Sequence, residues 1–373
     1  MIYYNPAAFN KLLFNNSPLK EDFNTFFLNR GTICKFDRTH LFTKFDRPNF
    51  NIKSIFPLPK FDSSFDLSFE EICFKRAKQL LEDNNQLNIW WSGGLDSTVV
   101  LLTFHQFKPT NIKIILTEAS IKDSPQVYEE IVKQYDHVVL EKFADRKPHF
   151  SLEYPNVTGD CSEGIYGWSG LFQLFLERYG MEVAYTKISD VHTLKNKMTE
   201  TDFFNFNYFL KLYDIIEETF EAAPIKIETL IDLNWWFVYN FCWQYDYLRF
   251  QVPLYQNYEK AFKYTEPFFA FEDFDNWIVN NYDEVINKIE SVKFYKIDEI
   301  NFIKKYFPHI EFTDVLPRKT NVDIIDLAPK SFLLIDDNYD LKPCPKILDT
   351  TLEEMIMMFE GDFTIEQIKL LFD

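Results

Sequence analysis

The sequence predicts an α/β protein, a parallel sheet with helices packed on its faces, continued by a mostly helical C-terminal half. Three features of the 373 residues point there. Between 68 and 140, short apolar runs alternate with segments of helical period, an order that yields parallel strands joined by helices. One junction is the string Ser92-Gly93-Gly94-Leu95-Asp96-Ser97, a glycine turn between an apolar run and a helix. Beyond about 169, helix-period patterns dominate and strand-like runs become rare.

Residues 1–67 mix Phe, Asn, Asp and Pro without a sustained period, and read as an N-terminal arm of short strands and loops. Ser68 and Glu71 have the spacing of a capping box, in which serine and glutamate satisfy each other's backbone N–H groups. Phe69, Ile72, Cys73, Ala77, Leu80 and Leu81 then recur at helical spacing, and the helix should stop in the polar run 83–85. An apolar run at 87–91 predicts a strand, 98–107 a helix and 112–117 a second strand. Ser124-Pro125 opens another helix, since proline fits the first helical position, and 137–140 reads as a third strand. A second glycine-bearing segment spans 156–167, Asn-Val-Thr-Gly-Asp-Cys-Ser-Glu-Gly-Ile-Tyr-Gly. A helix at 169–179 follows, stopped by Gly180. Further helices are expected at 203–220, 227–250, 274–291 and 298–306, a strand at 332–335, and closing helices at 351–359 and 364–372. The organisation expected is an arm over 1–67, a main domain over 68–310 and a C-terminal extension over 311–373.

The net charge of −18 argues against a nucleic-acid or anionic-membrane binder, because phosphate backbones are held by clustered Lys and Arg. A small phosphate ligand needs only a few local donors and remains compatible. Aromatic residues make up 18% of the chain, a composition that folds. The five cysteines, Cys34, Cys73, Cys161, Cys242 and Cys344, are scattered and never form CxxC, so free thiols are expected rather than a disulfide framework or zinc knuckle. The six histidines are equally dispersed. No basic segment leads into an apolar core at the start, and no run of about 18 apolar residues occurs. A soluble, cytoplasmic setting is the expectation. The stretch 233–250 carries aromatics on every side of a helix, which reads as core; the alternative is the wall of an acceptor pocket, with Arg249 holding a carboxylate.

The loop Ser92–Ser97 is the most informative string. Adjacent glycines let backbone approach an anion closely, and the N–H groups at the helix start, with the helix dipole, favour negative charge there. Ser92 and Ser97 can add hydroxyl donors. Asp96 repels phosphate on its own and makes sense if it holds a Mg²⁺ that bridges to phosphate oxygens. The spacing is neither that of a Walker A loop nor G-x-G-x-x-G.

This string resembles the SGGxDS motif of the PP-loop ATP pyrophosphatase superfamily, which has an adenine nucleotide alpha hydrolase-like fold. Members cleave ATP between the α and β phosphates. Within it, the chain is most similar to the synthetase domain of asparagine synthetases over about 68–306. The helix from Ser68 matches the one that introduces the loop there. The segment 156–167 resembles that group's SGEGADEIFGG, with Thr158, Gly159 and Asp160 at the S-G-E positions, Glu163 at the aspartate and Ile165-Tyr166-Gly167 at I-F-G. Glu266-Pro267-Phe268 looks like its P-F-L-D stretch, and Lys296 falls at its K-x-x-L-R lysine, with Lys293 equally placed.

The resemblance implies ATP and Mg²⁺ as cofactors. Ser92, Gly93, Gly94, Ser97 and Gly159 would cradle the phosphates, Asp96 and Glu163 would hold the metal, and Thr117 and Glu118 would border adenine and ribose. Asp160 would take the proton of an attacking amine, and Lys296 would neutralise charge developing on the phosphates. This chain departs from the pattern in having Glu163 for Asp, Gly164 for Glu, and an Asp160 shorter than the glutamate. A counterpart of the glutaminase domain of glutamine-dependent relatives is not expected, since residue 2 is Ile and too few residues precede the loop. Ammonia would come free or from a separate amidotransferase subunit, or the substrate would bring its own amine, as in β-lactam synthetases and lasso-peptide cyclases. Stand-alone proteins of this shape are also encoded by bacteriophages. The expected partners are a small-molecule carboxylate and ammonia or an amine, with a homodimer as a further option, and neither nucleic acid nor membrane. Two other functions fit the loop: a PP-loop enzyme modifying a nucleobase or tRNA, and a non-catalytic nucleotide-binding relative.

Overall fold

The computed structural model describes residues 2–3, 38–39, 41, 57–141, 143–167, 172, 176, 179–190, 212–242, 263–286, 289, 295–309, 333–335 and 341–343. In chain order its elements are β1 (Ile2–Tyr3), α1 (Phe69–Asp83), β2 (Leu87–Trp90), α2 (Leu95–Gln106), β3 (Ile112–Thr117), α3 (Glu118–Asp123), α4 (Pro125–Glu130), β4 (Asp136–Leu140), β5 (Asn156–Thr158) and α5 (Ser162–Tyr166). They continue with α6 (Leu230–Phe237), β6 (Thr265–Pro267), α7 (Glu272–Asn280), α8 (Tyr282–Val285), α9 (Ile297–Tyr306), β7 (Leu333–Ile335) and β8 (Leu341–Pro343). By contacts the chain divides into two units, each discontinuous in sequence. One comprises Met1–Leu58, Gly167–Tyr245 and Ala328–Asp373, the other Pro59–Tyr166 and Asp246–Leu327. This partition differs from the expected boundaries at 67 and 310.

The second unit is the α/β body. Its five strands lie in the order β4-β3-β2-β5-β6, and every pairing is parallel. From β2 the order runs through β3 to β4 on one side and through β5 to β6 on the other. The sheet therefore reverses its direction of growth between β2 and β5, and ligands of open α/β sheets bind beyond the strand C-termini at such a switch point. The loops leaving those two strands are the two glycine-bearing segments.

Local physics explains most of the elements. Ser68 caps α1 with its Oγ accepting from Glu71 N at 3.3 Å, while Glu71 Oε2 accepts from Ser68 N at 2.9 Å. All four residues of β2 are buried. The polar one, Asn88, donates to Asn156 Oδ1 at 3.1 Å, and Asn156 Oδ1 also accepts from Trp90 Nε1 at 3.2 Å and Ser151 N at 3.0 Å. Asn156 Nδ2 donates to Ser151 O at 2.8 Å and Tyr264 O at 3.1 Å, so one carboxamide joins β2, β5 and the entry to β6. Helix α2 packs against α1 and α9, with Val99, Val100, Leu101, Leu102 and Phe104 at 1% exposure or less. An apolar surface all round marks such a central helix.

Several boundaries differ from expectation. Helix α2 starts at Leu95, not 98, because Gly94 takes the N-cap conformation and its carbonyl accepts from Thr98 N at 3.0 Å. Asp96 and Ser97 thus belong to the first helical turn. Helix α3 was not foreseen: Thr117, the last residue of β3, caps it through Ser120. Strands β5 and β6 are three residues each, too short to show a period. The helix expected at 274–291 breaks at Asn281, giving α7 and α8.

In the other unit, β1, β7 and β8 form an antiparallel three-stranded sheet. Thr229 caps α6 in a box with Asp232, and the chain continues as a π-helical turn over Val238–Cys242. Trp235, Trp236, Phe237, Tyr239 and Phe241 are buried, in agreement with a core role. Trp236 Nε1 donates to Thr219 Oγ1 at 2.9 Å, and the Arg38 guanidinium lies 4.6 Å from the Tyr239 ring centre. The expected positions Arg249 and Lys293, and the helices at 351–359 and 364–372, fall outside the described residues. Among the described residues no helix is long and apolar enough to cross a membrane.

Candidate functional site

The loop between β2 and α2 is braced from within. Ser92 N donates to Ser97 Oγ at 3.1 Å, the two serine hydroxyls are 2.9 Å apart, and Ser97 Oγ donates to Gly94 O at 3.2 Å. Ser97 is 4% exposed, so it shapes the loop, whereas Ser92 stays exposed. Gly93 has φ +79°, and a Cβ there would stand 2.6 Å from Ser120 O. Ser124 Oγ holds the same glycine by donating to its carbonyl at 2.8 Å. Gly94 contributes no side-chain cap to α2, which leaves first-turn N–H groups available to a ligand at the positive end of a 12-residue helix.

The loop leaving β5 comes against this helix start. A Cβ on Gly159 would lie 2.7 Å from Ser97 N and 3.0 Å from Asp96 C, so only glycine permits the approach. Asp160 follows, its N–H donating to Thr158 Oγ1 at 3.3 Å. Cys161 is buried with φ +74°, and its position inside the turn suits packing.

Between the two loops stands Lys296, supplied by the N-terminus of α9. Its ammonium bonds to Asp96 Oδ1 and lies 3.7 Å from Glu163 Oε1. The side chain is 4% exposed. Burial alone would push this lysine down, but the Asp96 and Glu163 carboxylates outweigh it and hold the ammonium well above its ordinary value. Removing one partner of a buried pair of this kind costs about 3–5 kcal/mol, because the other charge is left uncompensated.

Two residues that sequence reasoning passed over complete the cluster. Ser162 Oγ donates to Glu299 Oε1 at 2.5 Å, and both residues are wholly buried. Burial and the neighbouring Asp96 charge push Glu299 well above the usual carboxylate range, against the opposing pull of Lys296 and Ser162. Tyr166, also fully buried, is pushed up by burial and by Glu299. The signal available for Glu299 was its place three residues after Lys296, one turn on along the same helix.

The structure thus brings together Ser92, Gly93, Gly94, Asp96, Ser97, Gly159, Glu163 and Lys296. Thr117 is committed locally: its Oγ1 accepts from Ser120 N at 3.2 Å as the cap of α3. Asp96 and Glu163, expected as Mg²⁺ ligands, converge on a single cation, which here is Lys296. Among the described residues no group of three or more His, Cys, Asp or Glu side chains is arranged to hold a metal. Two converging carboxylates do match Mg²⁺ bound with phosphate oxygens, since that ion takes one or two carboxylates and fills its shell from ligand and water. No protein-family model, curated protein or solved structure matches the chain.

Proposed function

We propose that the chain is a PP-loop ligase that spends ATP, forming AMP and pyrophosphate, to join a carboxylate to ammonia or an amine. The observation that carries this reading is the approach of Gly159 to the Ser97 and Asp96 backbone at the switch point of the sheet. It sets two carboxylates and a lysine around a helix N-terminus that offers backbone donors. A Cβ at Gly93 or Gly159 would strike neighbouring main chain, so the two glycines let both loops close tightly around this helix start.

The chemistry balances as two displacements. A substrate carboxylate oxygen attacks the α-phosphorus, the α–β anhydride bond breaks and pyrophosphate leaves. The amine nitrogen then attacks the acyl carbon, the acyl C–O bond breaks, AMP leaves carrying the former carboxylate oxygen, and the surplus N–H proton passes to a base, for which Asp160 is the residue in sequence position. Gly93, Gly94 and Ser92 would bind the pyrophosphate portion. Lys296, moved from Asp96 toward the phosphates, would oppose the charge that develops as the anhydride breaks. Mg²⁺, held by Asp96 and Glu163, would supply further charge neutralisation on the phosphate oxygens.

ATP–pyrophosphate exchange across a panel of amino acids and other carboxylates, with AMP and ADP resolved, tests the reading. Exchange should require a carboxylate and disappear in Asp96→Ala. Exchange at the unaltered level in that variant, or ADP as product, refutes it. The closed Lys296–Asp96–Glu163 pairing favours a second reading, a nucleotide-binding relative without turnover. Calorimetric ATP binding with no AMP from any substrate mixture would select it.

A further inference from the structure

We infer that Glu299 is the positioning residue of Lys296: through Ser162 it ties the second glycine loop to α9 and so fixes where the lysine ammonium stands between Asp96 and Glu163. The inference rests on the site reading above and extends it to a residue which the family resemblance does not assign.

The geometry is specific. Lys296 occupies the N-cap of α9 with φ −111° and ψ 46° and makes no side-chain capping bond, so its own backbone does little to fix its side chain. Glu299 lies one turn further on, at 0% exposure. Its Oε1 takes the Ser162 hydroxyl at 2.5 Å, and Ser162 is the residue before Glu163 and the first of α5. One hydrogen bond therefore joins the helix carrying the lysine to the turn carrying one of its two carboxylate partners. The other partner, Asp96, sits on α2, against which α9 packs. Glu299 also shares a side-chain hydrogen bond with Asp96, so it reaches both of the elements whose carboxylates flank the lysine. A charged lysine with four rotatable carbons loses its place readily when such a brace goes.

Two measurements on the full chain decide it. The first is trace acylation of lysines by acetic anhydride, read residue by residue by mass spectrometry, with exposed Lys60 and Lys78 as internal references. Lys296 should be protected in the unaltered protein and react at least ten-fold faster in Glu299→Ala and in Ser162→Ala. Glu299→Gln keeps the length and the oxygen that accepts from Ser162, and should stay within about three-fold of the unaltered rate. Circular dichroism and thermal unfolding establish that each variant is folded; if Glu299→Ala is not, Ser162→Ala removes the same bond with less disturbance and carries the test. The second is a double-mutant cycle read as ATP affinity by calorimetry. Glu299→Ala should weaken ATP at least five-fold in the unaltered background and less than two-fold in Lys296→Ala, because it acts through the lysine. Unchanged acylation of Lys296 in the folded variants, or equal weakening in both backgrounds, overturns the inference. Failure of the unaltered chain to bind ATP refutes the ligase reading instead, and the acylation rates then decide the role of Glu299 alone.

Discussion

Alanine placed at Gly93, Gly94 and Gly159 should destabilise the protein in an order that the motif by itself does not reveal. At Gly159 the added Cβ meets Ser97 N at 2.7 Å, about 0.7 Å inside the 3.4 Å at which ordinary contact begins. The atoms it meets are main chain in the first turn of α2, a helix held between α1 and α9, so neither side yields cheaply. Overpacking of that kind costs about 2 kcal/mol. At Gly93 a Cβ meets Ser120 O at 2.6 Å, and φ is +79°. A left-handed backbone adds about 1–2 kcal/mol for an L-residue, which brings that variant to about 4 kcal/mol. At Gly94 the φ of −78° suits any residue, and the nearest atom is the rotatable Ser92 Oγ at 3.3 Å. The loss there is the small preference for glycine over alanine at an N-cap, about 0.5 kcal/mol. Urea unfolding of the three variants measures the series, with hydrogen exchange of the peptide 87–106 to localise it. Gly94→Ala as costly as Gly159→Ala, or Gly159→Ala within about 0.5 kcal/mol of the unaltered protein, would refute the close approach of the two loops.

Asn156→Ala should cost about 2–4 kcal/mol in urea unfolding, because it strands Trp90 Nε1, Ser151 N and Ser151 O together, while Asn88 Nδ2 keeps His149 O; a loss below 1 kcal/mol would show the network to be dispensable. Ser68→Ala removes the cap of α1 and should lower stability by about 1 kcal/mol, seen as a lower thermal midpoint with unchanged circular dichroism. Burial and then Lys108 lower the His105 pKa below its ordinary value. Between the folded value and the unfolded one near 6.5 the unfolded chain binds more protons, so stability is present above about pH 6.5 and lost as pH falls. The urea midpoint of the unaltered protein relative to His105→Gln should therefore fall between pH 7 and pH 5; a difference independent of pH would contradict the shift.

The parts of this fold legible in sequence are those whose physics is local. Helix α1 announces itself through Ser68 and Glu71, and β3 through six residues bounded by turn signals. The glycine loop is equally local, since a tight strand-to-helix turn needs its glycines wherever it occurs. What stayed hidden depends on partners distant in sequence. Strands β5 and β6 are defined by the neighbours they pair with and hold too few residues to show alternation. Glu299 reads in isolation as an ordinary acidic residue early in a helix, and only the packing of α9 against α2 and the turn at Ser162 makes it a buried group. Helix α3 was missed because Thr117 serves two elements at once, ending a strand and capping a helix.

The arrangement of the charge cluster also sets an order of events at the ribosome. Asp96 and Glu163 belong to the earlier stretch of their unit, and Lys296 to the later one. At roughly 5–20 residues per second, the 133 residues from Glu163 to Lys296 take about 7–27 seconds to synthesise. Throughout that interval the nascent stretch from β2 to α5 carries these two carboxylates without Lys296 between them and lacks β6 at its edge. The first half of this body therefore waits, its sheet unfinished and its negative charge facing water, for a cation delivered by the second.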